Sequence, residues 1–240
     1  MRQVPSQQRY IVIGDGRVAK HIQHYLDLNG ADSFLWARSQ NTWAELEAQI
    51  PWSTVALLCI NDDQIEDFYK KISSFELEFV HFSGSFSHPA IRGFHPLMSF
   101  GHELYDKKIY EPISFIGSEP QSLFRSLFPI WENPYIEIQP DQKNLYHALC
   151  VLAGNGTTLI WEMVKKELLN LGVPKESLNP YLSQVTDNIL EESDGRMTGP
   201  WYRDDLKTIH KNQHALEESP LHSLYESLYK TSENLRNTHE

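Results

Sequence analysis

Cysteine, basic charge and long apolar runs are all scarce in this chain of 240 residues. The two cysteines, Cys59 in an apolar strand-like run and Cys150 in an apolar helix-like run, are too few for a disulfide framework. They also lack metal-ligand spacing, so both read as small buried hydrophobes and no metal is expected. Lys and Arg number 21 against 32 Asp and Glu, a formal net charge of −11, which excludes the clustered cations that a nucleic-acid backbone requires and reads as solubility. No apolar stretch approaches the ~20 residues needed to cross a bilayer, and no basic amphipathic helix suits a membrane surface. The opening MRQVPSQQRY lacks the apolar core of a secretory signal, so a cytoplasmic location is expected. No internal repeat or low-complexity segment appears. With 40% hydrophobic and 22% charged residues the composition is that of an ordinary globular protein, long enough for one large domain or two modest ones; two are expected.

What is present is organised around the stretch from Tyr10 to Ala19. Tyr10 and the β-branched Ile11, Val12 and Ile13 make a short buried strand, Gly14-Asp15-Gly16 permits a tight turn, and Val18, Ile22, Tyr25 and Leu26 resume at helical spacing until Gly30. In a strand, turn and helix of this kind, Gly14 allows the turn, Gly16 lets a pyrophosphate approach the backbone, and small Ala19 lets helix and strand pack closely. The unpaired N–H groups opening the helix favour an anion. A glycine pair can equally serve a structural turn. The position near the N-terminus and the second apolar strand, Ser33 to Trp36, favour the dinucleotide reading. After that second strand the chain reads Trp36-Ala37-Arg38-Ser39, with no Asp or Glu to hold ribose hydroxyls. A guanidinium and a hydroxyl suit a 2′-phosphate, which points to NADP, whereas the bland alternative is a solvated arginine on a loop.

Thr42 and Glu45 form a capping-box pattern that opens a short helix with Trp43, Leu46 and Ile50 on one face, stopped by Pro51. The nearly continuous apolar run from Thr54 to Ile60 implies a strand buried on both faces, as in a parallel sheet covered by helices. It ends at Ile60 and Asn61, beside the expected nucleotide crevice, and Asp62 or Asp63 is expected to cap a helix carrying Ile65, Phe68, Tyr69 and Ile72. A strand from Glu78 to Phe82 ends in Ser83-Gly84-Ser85, again at the edge where ligands bind. Ile91 to Phe100 follows, containing His95, which could be a general acid or base or could merely bond backbone near the Pro96 turn. Ile113 to Gly117 reads as a strand, Ser118 and Gln121 as a helix cap, and Tyr135 to Ile138 as an alternating edge strand. An α/β domain over 1–140 results: a Rossmann-like, doubly wound, mainly parallel sheet.

From Asp141 the pattern becomes helical, giving an all-helical domain over 141–240. A helix from about 141 to Gly172 is long unless it bends, and Gly154 and Gly156 interrupt it. Each glycine there costs about 1 kcal/mol against Ala, so close packing on another helix, or room for a ligand beside Asn155, is required. Pro174 suits the first turn of a helix through Tyr181, Val185 and Ile189. A turn-rich loop, Met197 to Asp205, leads to a helix with Leu206, Ile209 and His210, and Ser219-Pro220 precedes a last helix, Leu221 to Leu235. The tail Asn237 to Glu240 is expected to fray.

Six ordered motifs, GDGRVA at 14–19, WARS at 36–39, HFSGS at 81–85, FHPLMSF at 94–100, YHALCVLAGN at 146–155 and TGPWYRDD at 198–205, carry a resemblance over nearly the whole chain. The sequence resembles a family of oxidoreductases with a Rossmann-like domain followed by a helical domain of formerly unknown function. That family is similar to the pyrroline-5-carboxylate reductases, ketopantoate reductases and 6-phosphogluconate dehydrogenases, and HPLMSFG is similar to a segment of prephenate dehydrogenases. The resemblance implies an NADP-binding first domain and a helical domain that builds a homodimer, with a small-molecule substrate between them. It carries Gly14, Gly16, Arg17, Val18 and Ala19 over to the pyrophosphate and Arg38 and Ser39 to the 2′-phosphate. Asp15 departs from the pattern, since an acid beside a pyrophosphate is tolerable only if it points outward. The relatives' lysine and asparagine are matched only loosely by Lys143 and Asn155.

The expected activity is NADP-dependent hydride transfer to or from a small carbonyl, imine or alcohol. His95, Lys143 and His147 are the candidate proton donors, and Asn155, Thr198 and Arg203 the candidates to orient a substrate carboxylate. Lys143 and His147, four apart, share a helix face, which permits joint action or describes a solvated helix edge. A non-catalytic NADP(H) sensor and a dimeric scaffold with a degenerate site are the rival readings.

Overall fold

The computed structural model describes residues 8–191 and 198–237. Met197, the start of the expected turn-rich loop, and Thr238 to Glu240 of the tail lie outside them. Contacts group the chain into two units, Met1–Gly154 and Asn155–Glu240. The helical pattern begins at 141, but the helix it opens has side chains buried in the first unit and belongs with it.

The first unit runs β1 (Arg9–Ile13), α1 (Arg17–Leu28), β2 (Asp32–Trp36), α2 (Trp43–Gln49), β3 (Val55–Leu58), α3 (Asp62–Ile72), β4 (Glu78–His81), β5 (Arg92–Gly93), β6 (His95–Pro96), α4 (Lys107–Tyr110), β7 (Phe115–Gly117), α5 (Gln121–Leu127), β8 (Tyr135–Glu137) and α6 (Lys143–Val151). Five strands form a parallel sheet in the order β2-β1-β3-β4-β5. The remaining three form a second sheet, β6-β7-β8, in which β6 pairs antiparallel and β8 parallel with β7. A single sheet was expected. The break falls at Phe94, a single residue between β5 and β6 that is fully buried among Phe124, Phe128 and Tyr135.

The apolar strands do bury both faces. Tyr10 and Val12 of β1 and Val55 and Leu57 of β3 enter one core cluster, while Ile11, Ile13, Ala56 and Leu58 enter the other, as a side-chain period of two demands. Tyr25, Trp131 and Phe128 stack in sequence at 5.1 and 4.3 Å between ring centroids, which adds aromatic packing to area burial on the first of these faces.

Local signals fare unevenly. The Thr42–Glu45 capping box forms as expected. Helix α1 ends with Gly30 at φ 68°, with Ala31 N–H bonded to Leu26 O at 3.0 Å and Gly30 N–H to Asp27 O at 2.9 Å, a left-handed closure that glycine makes cheap. Neither Asp62 nor Asp63 caps α3: Asn61 holds the cap position without a side-chain bond, because the Asp62 carboxylate is taken by the Ser83 and Ser85 hydroxyls. Ser118 and Gln121 likewise do not cap α5, whose cap position is Pro120.

The second unit contains α7 (Thr157–Asn170), α8 (Asn179–Leu190), α9 (Pro200–Arg203), α10 (Leu206–Ala215) and α11 (His222–Asn237). The expected bend at the two glycines is a π-helical segment, Leu152–Gly156, that joins α6 to α7. At Gly154 a Cβ would meet nothing within 4 Å, so close packing does not account for that glycine. Pro174 precedes a 3-10 turn, Lys175–Leu178, before α8 rather than lying in its first turn. Gly199 at φ 86° and the Asp205 cap on Thr208 N–H account for much of the TGPWYRDD motif as local structure.

Candidate active site

In the strand order 2-1-3-4-5 the connections leave the sheet in opposite directions from β1 and β3, and a ligand crevice opens beyond their carboxyl ends. Gly14 sits there at φ 139°, its N–H bonded to Trp36 O at 2.9 Å. A Cβ on it would lie 2.2 Å from Cys59 O and 3.3 Å from Ala19 Cβ. Only glycine fits, and small Ala19, fully buried, allows the close approach of α1. Gly16 is the cap residue of α1 and carries no side chain to satisfy the helix's first N–H groups, so the 12-residue helix presents them to the crevice.

Two cavities occupy this edge. One, of about 410 Å³, is walled by Asp15, Gly16, Trp36, Arg38, Asn61 and the α3 residues Gln64, Phe68 and Lys71. The other, of about 240 Å³, is walled by Val18, Asp62, Ser83, Gly84, His95 and His147. Cys59 and Ile60 line both, so the two are neighbours along one sheet edge, with Arg38 at one end and His95 at the other.

The expected coenzyme residues are therefore brought together: Gly14, Asp15, Gly16, Val18, Arg38, Ile60, Asn61, Ser83 and Gly84 all lie at this edge. Asp15 is exposed and accepts a hydrogen bond from Ser39 Oγ at 2.8 Å, which turns its carboxylate toward the β2 loop and engages the Ser39 hydroxyl. Arg17 donates to Phe100 O at 3.3 Å. Ser83 Oγ bonds Asp62 at 2.5 Å and accepts from the Phe86 N–H at 2.9 Å, so its hydroxyl is committed to fixing the loop after β4.

His95 does not bond backbone at its turn. Its Nδ1 is hydrogen-bonded to the Tyr146 hydroxyl at 2.6 Å, and its ring meets that of His147 edge-on at 6.1 Å. Burial, followed by the neighbouring charges of His147 and Lys143, lowers its pKa to about 4, so the imidazole is neutral at physiological pH. Burial and a bond to Cys150 raise the Tyr146 hydroxyl well above the usual phenol range. Cys150 itself is half-buried, not the enclosed hydrophobe its surroundings in sequence suggested.

Lys143 lies on the same face of α6 as His147, and that face is the buried one; its ammonium donates to Phe86 O, with His95 and Asp62 of the smaller cavity's wall close enough for their charges to interact with it. Burial lowers its pKa. Also near it is His81, fully buried at the end of β4, whose Nδ1 accepts from Ser83 N–H at 3.2 Å. His81 Nε2 has no partner among the described residues, and a Cβ on Gly93 would meet that atom at 2.7 Å and Lys143 Nζ at 3.0 Å. Desolvation lowers the His81 pKa to about 3. Asn155, Thr198 and Arg203 belong to the second unit, each with an exposed side chain.

Tyr146, His81, Trp36 and the α3 face were not picked out from the sequence as site residues. Periodicity held the signal for two of them: Lys143, Tyr146, His147 and Cys150 recur at helical spacing, as do Gln64, Phe68 and Lys71.

Residues 117–232 match the family model described as a domain of unknown function, DUF2520. No curated protein sequence matches the chain. Solved structures do. A Bacteroides fragilis protein provisionally named an NADP oxidoreductase superimposes with a TM-score of 0.76 at 18% identity, covering 94% of this chain and 98% of that one. A reductive aminase from Aspergillus terreus, solved with NADPH and ethyl levulinate, gives 0.59 at 13% identity over 97% and 95%. The 1-pyrroline-5-carboxylate reductase of Streptococcus pyogenes gives 0.57 at 16% identity over 94% and 96%. At these identities the likeness establishes the fold: a Rossmann-like α/β unit followed by a helical one.

Proposed function

We propose that this chain is an NADP-dependent oxidoreductase that transfers a hydride to or from a small carbonyl, imine or alcohol held near His95. The observation that carries the reading is the pair of adjoining cavities along one sheet edge, with an arginine that has no ion-pair partner among the described residues at one end and a neutral, tyrosine-bonded histidine at the other. The names of the structural neighbours, which include NADPH-bound reductases, support it.

The residues present fit the coenzyme. The Gly14–Gly16 turn, which a Cβ at Gly14 would close, and the open N–H groups of α1 would hold the pyrophosphate, and Arg38 the 2′-phosphate. Val18, Ile60 and Gly84 would flank the nicotinamide. When bound, the coenzyme supplies the hydride.

The chain's own task is to hold the acceptor and handle one proton. A Tyr146 hydroxyl donating to Nδ1 leaves the His95 proton on Nε2, where it hydrogen-bonds the carbonyl oxygen or imine nitrogen of the substrate. Because burial keeps the imidazole neutral, it acts as a positioned hydrogen-bond donor rather than as a cation. His147 closes the wall beside Gly84, where a Cβ would meet its ring at 2.5 Å. A second copy of the chain is the proposed partner of the helical unit, which leaves Leu159, Leu169, Leu171, Tyr181 and Ile189 exposed.

Titration of the purified protein with NADPH and NADH, followed by nicotinamide fluorescence, tests the coenzyme assignment; tighter NADPH binding is expected. A screen of small carbonyl and imine acids for NADPH oxidation then tests turnover, with His95→Asn expected to lower kcat by about 10²-fold or more. Tight NADPH binding without any turnover would instead favour a sensor.

A further inference from the structure

Within the larger cavity the charges are unevenly satisfied. Its wall carries two carboxylates and two cations. Asp15 is engaged by the Ser39 hydroxyl, and Asp67 lies 3.7 Å from the Lys70 ammonium, which also pairs with Glu66 at 2.8 Å. Arg38, from the loop after β2, and Lys71, from the last turn of α3, form no salt bridge among the described residues. They arrive from two different elements and face the same space. Gln64, Phe68 and Lys71 stand four and three residues apart on α3, so one face of that helix forms the wall.

Two cations without an ion-pair partner among the described residues converge on one volume, while Asp15 is turned to the Ser39 hydroxyl and Asp67 lies beside Lys70; the pair makes a receptor for a compact dianion. From this we infer that Lys71 is a specificity-determining residue, which together with Arg38 selects a dinucleotide phosphorylated on its adenosine 2′-oxygen over the unphosphorylated one. The inference rests on the coenzyme reading above and deepens it, since the sequence stretch that points to the phosphate, Trp36 to Ser39, supplies a single cation, Arg38. The planar guanidinium can bind two phosphate oxygens at once, whereas the ammonium adds a mobile point charge from the opposite wall. The side chains are exposed, so the preference should weaken as salt is raised.

The test is equilibrium binding of full-length protein to NADPH and to NADH by nicotinamide fluorescence, with adenosine 2′,5′-bisphosphate and adenosine 5′-monophosphate as competitors. Lys71→Gln is expected to weaken NADPH and the bisphosphate about tenfold, as loss of one charge-assisted contact would. NADH and the monophosphate should change less than about twofold, and Lys71→Arg should restore most of the preference. Unchanged NADPH affinity in Lys71→Gln, or equal losses for both coenzymes at an unaltered melting temperature, would overturn the role of Lys71 while leaving the coenzyme reading intact. Wild-type protein that binds neither coenzyme would sink both.

Discussion

The two units solve the problem of apolar surface in opposite ways. In the first, the strand residues from Tyr10 to Ile13 and from Val55 to Leu58 are at most 1% exposed, and aromatic rings stack behind them. In the second, Ile209 and Ser232 are the buried side chains among the described residues, while Leu171 is 79% and Leu190 is 72% exposed. Both units have the apolar periodicity that their secondary structure requires. The difference is that a sheet covered by helices buries both of its faces within one chain, whereas the stripes of α7 and α8 remain bare. A helix pattern reports that a face will be covered, not by what.

The sharpest way to break this contrast is at Gly14. Gly14→Val combines a left-handed backbone conformation with a clash against Cys59 O, and it should destabilise the first unit by on the order of 3–5 kcal/mol, read as a loss of soluble protein or a large fall in melting temperature. Next come the paired truncations. Trp131→Ala or Phe124→Ala should cost about 3–5 kcal/mol in chemical denaturation. Leu171→Ala should stay within about 0.5 kcal/mol if its face is solvated, and a larger, concentration-dependent cost would show that a second copy covers it.

An acid titration sharpens the comparison further. His81 and His95 both lie in the first unit with pKa values lowered by burial, to about 3 and about 4, below the ordinary imidazole value. The unfolded chain therefore takes up these protons first as pH falls. Their contribution to stability is complete above about pH 6.5 and is lost progressively down to about pH 4 for His95 and pH 3 for His81. Loss on the order of 2–3 kcal/mol per histidine is expected in urea melts across that window, and His81→Gln should flatten it. A smaller effect is expected of Thr42→Ala, which removes the capping box of α2 at a cost of about 1 kcal/mol, read in the same urea melts.

Much of this architecture can be read directly from the residues. The run from Tyr10 to Ala19 specifies strand, turn and helix because β-branching, paired glycines and a helical apolar period each restrict the local backbone in one way. The both-face burial of β3 follows from its unbroken apolar run. Arg38 could be located because it stands at a fixed distance past the glycines. Asp62 illustrates where such reading stops: its neighbours in sequence recommended a helix cap, but Ser83 and Ser85, more than twenty residues away, offered hydroxyls at 2.5 and 3.1 Å and took the carboxylate instead.

The sequence by itself therefore determined the elements, the glycine turn and one end of the crevice, since these depend on interactions within a few residues. Tertiary structure alone decided that the strands split into two sheets at Phe94, that Lys143 turns inward to Phe86 while Tyr146 meets His95, and that Lys71 shares a cavity with Arg38. Those pairings join residues 33 to 57 positions apart. No local preference encodes them; they are fixed by how the layers pack and by which buried polar atom finds a partner.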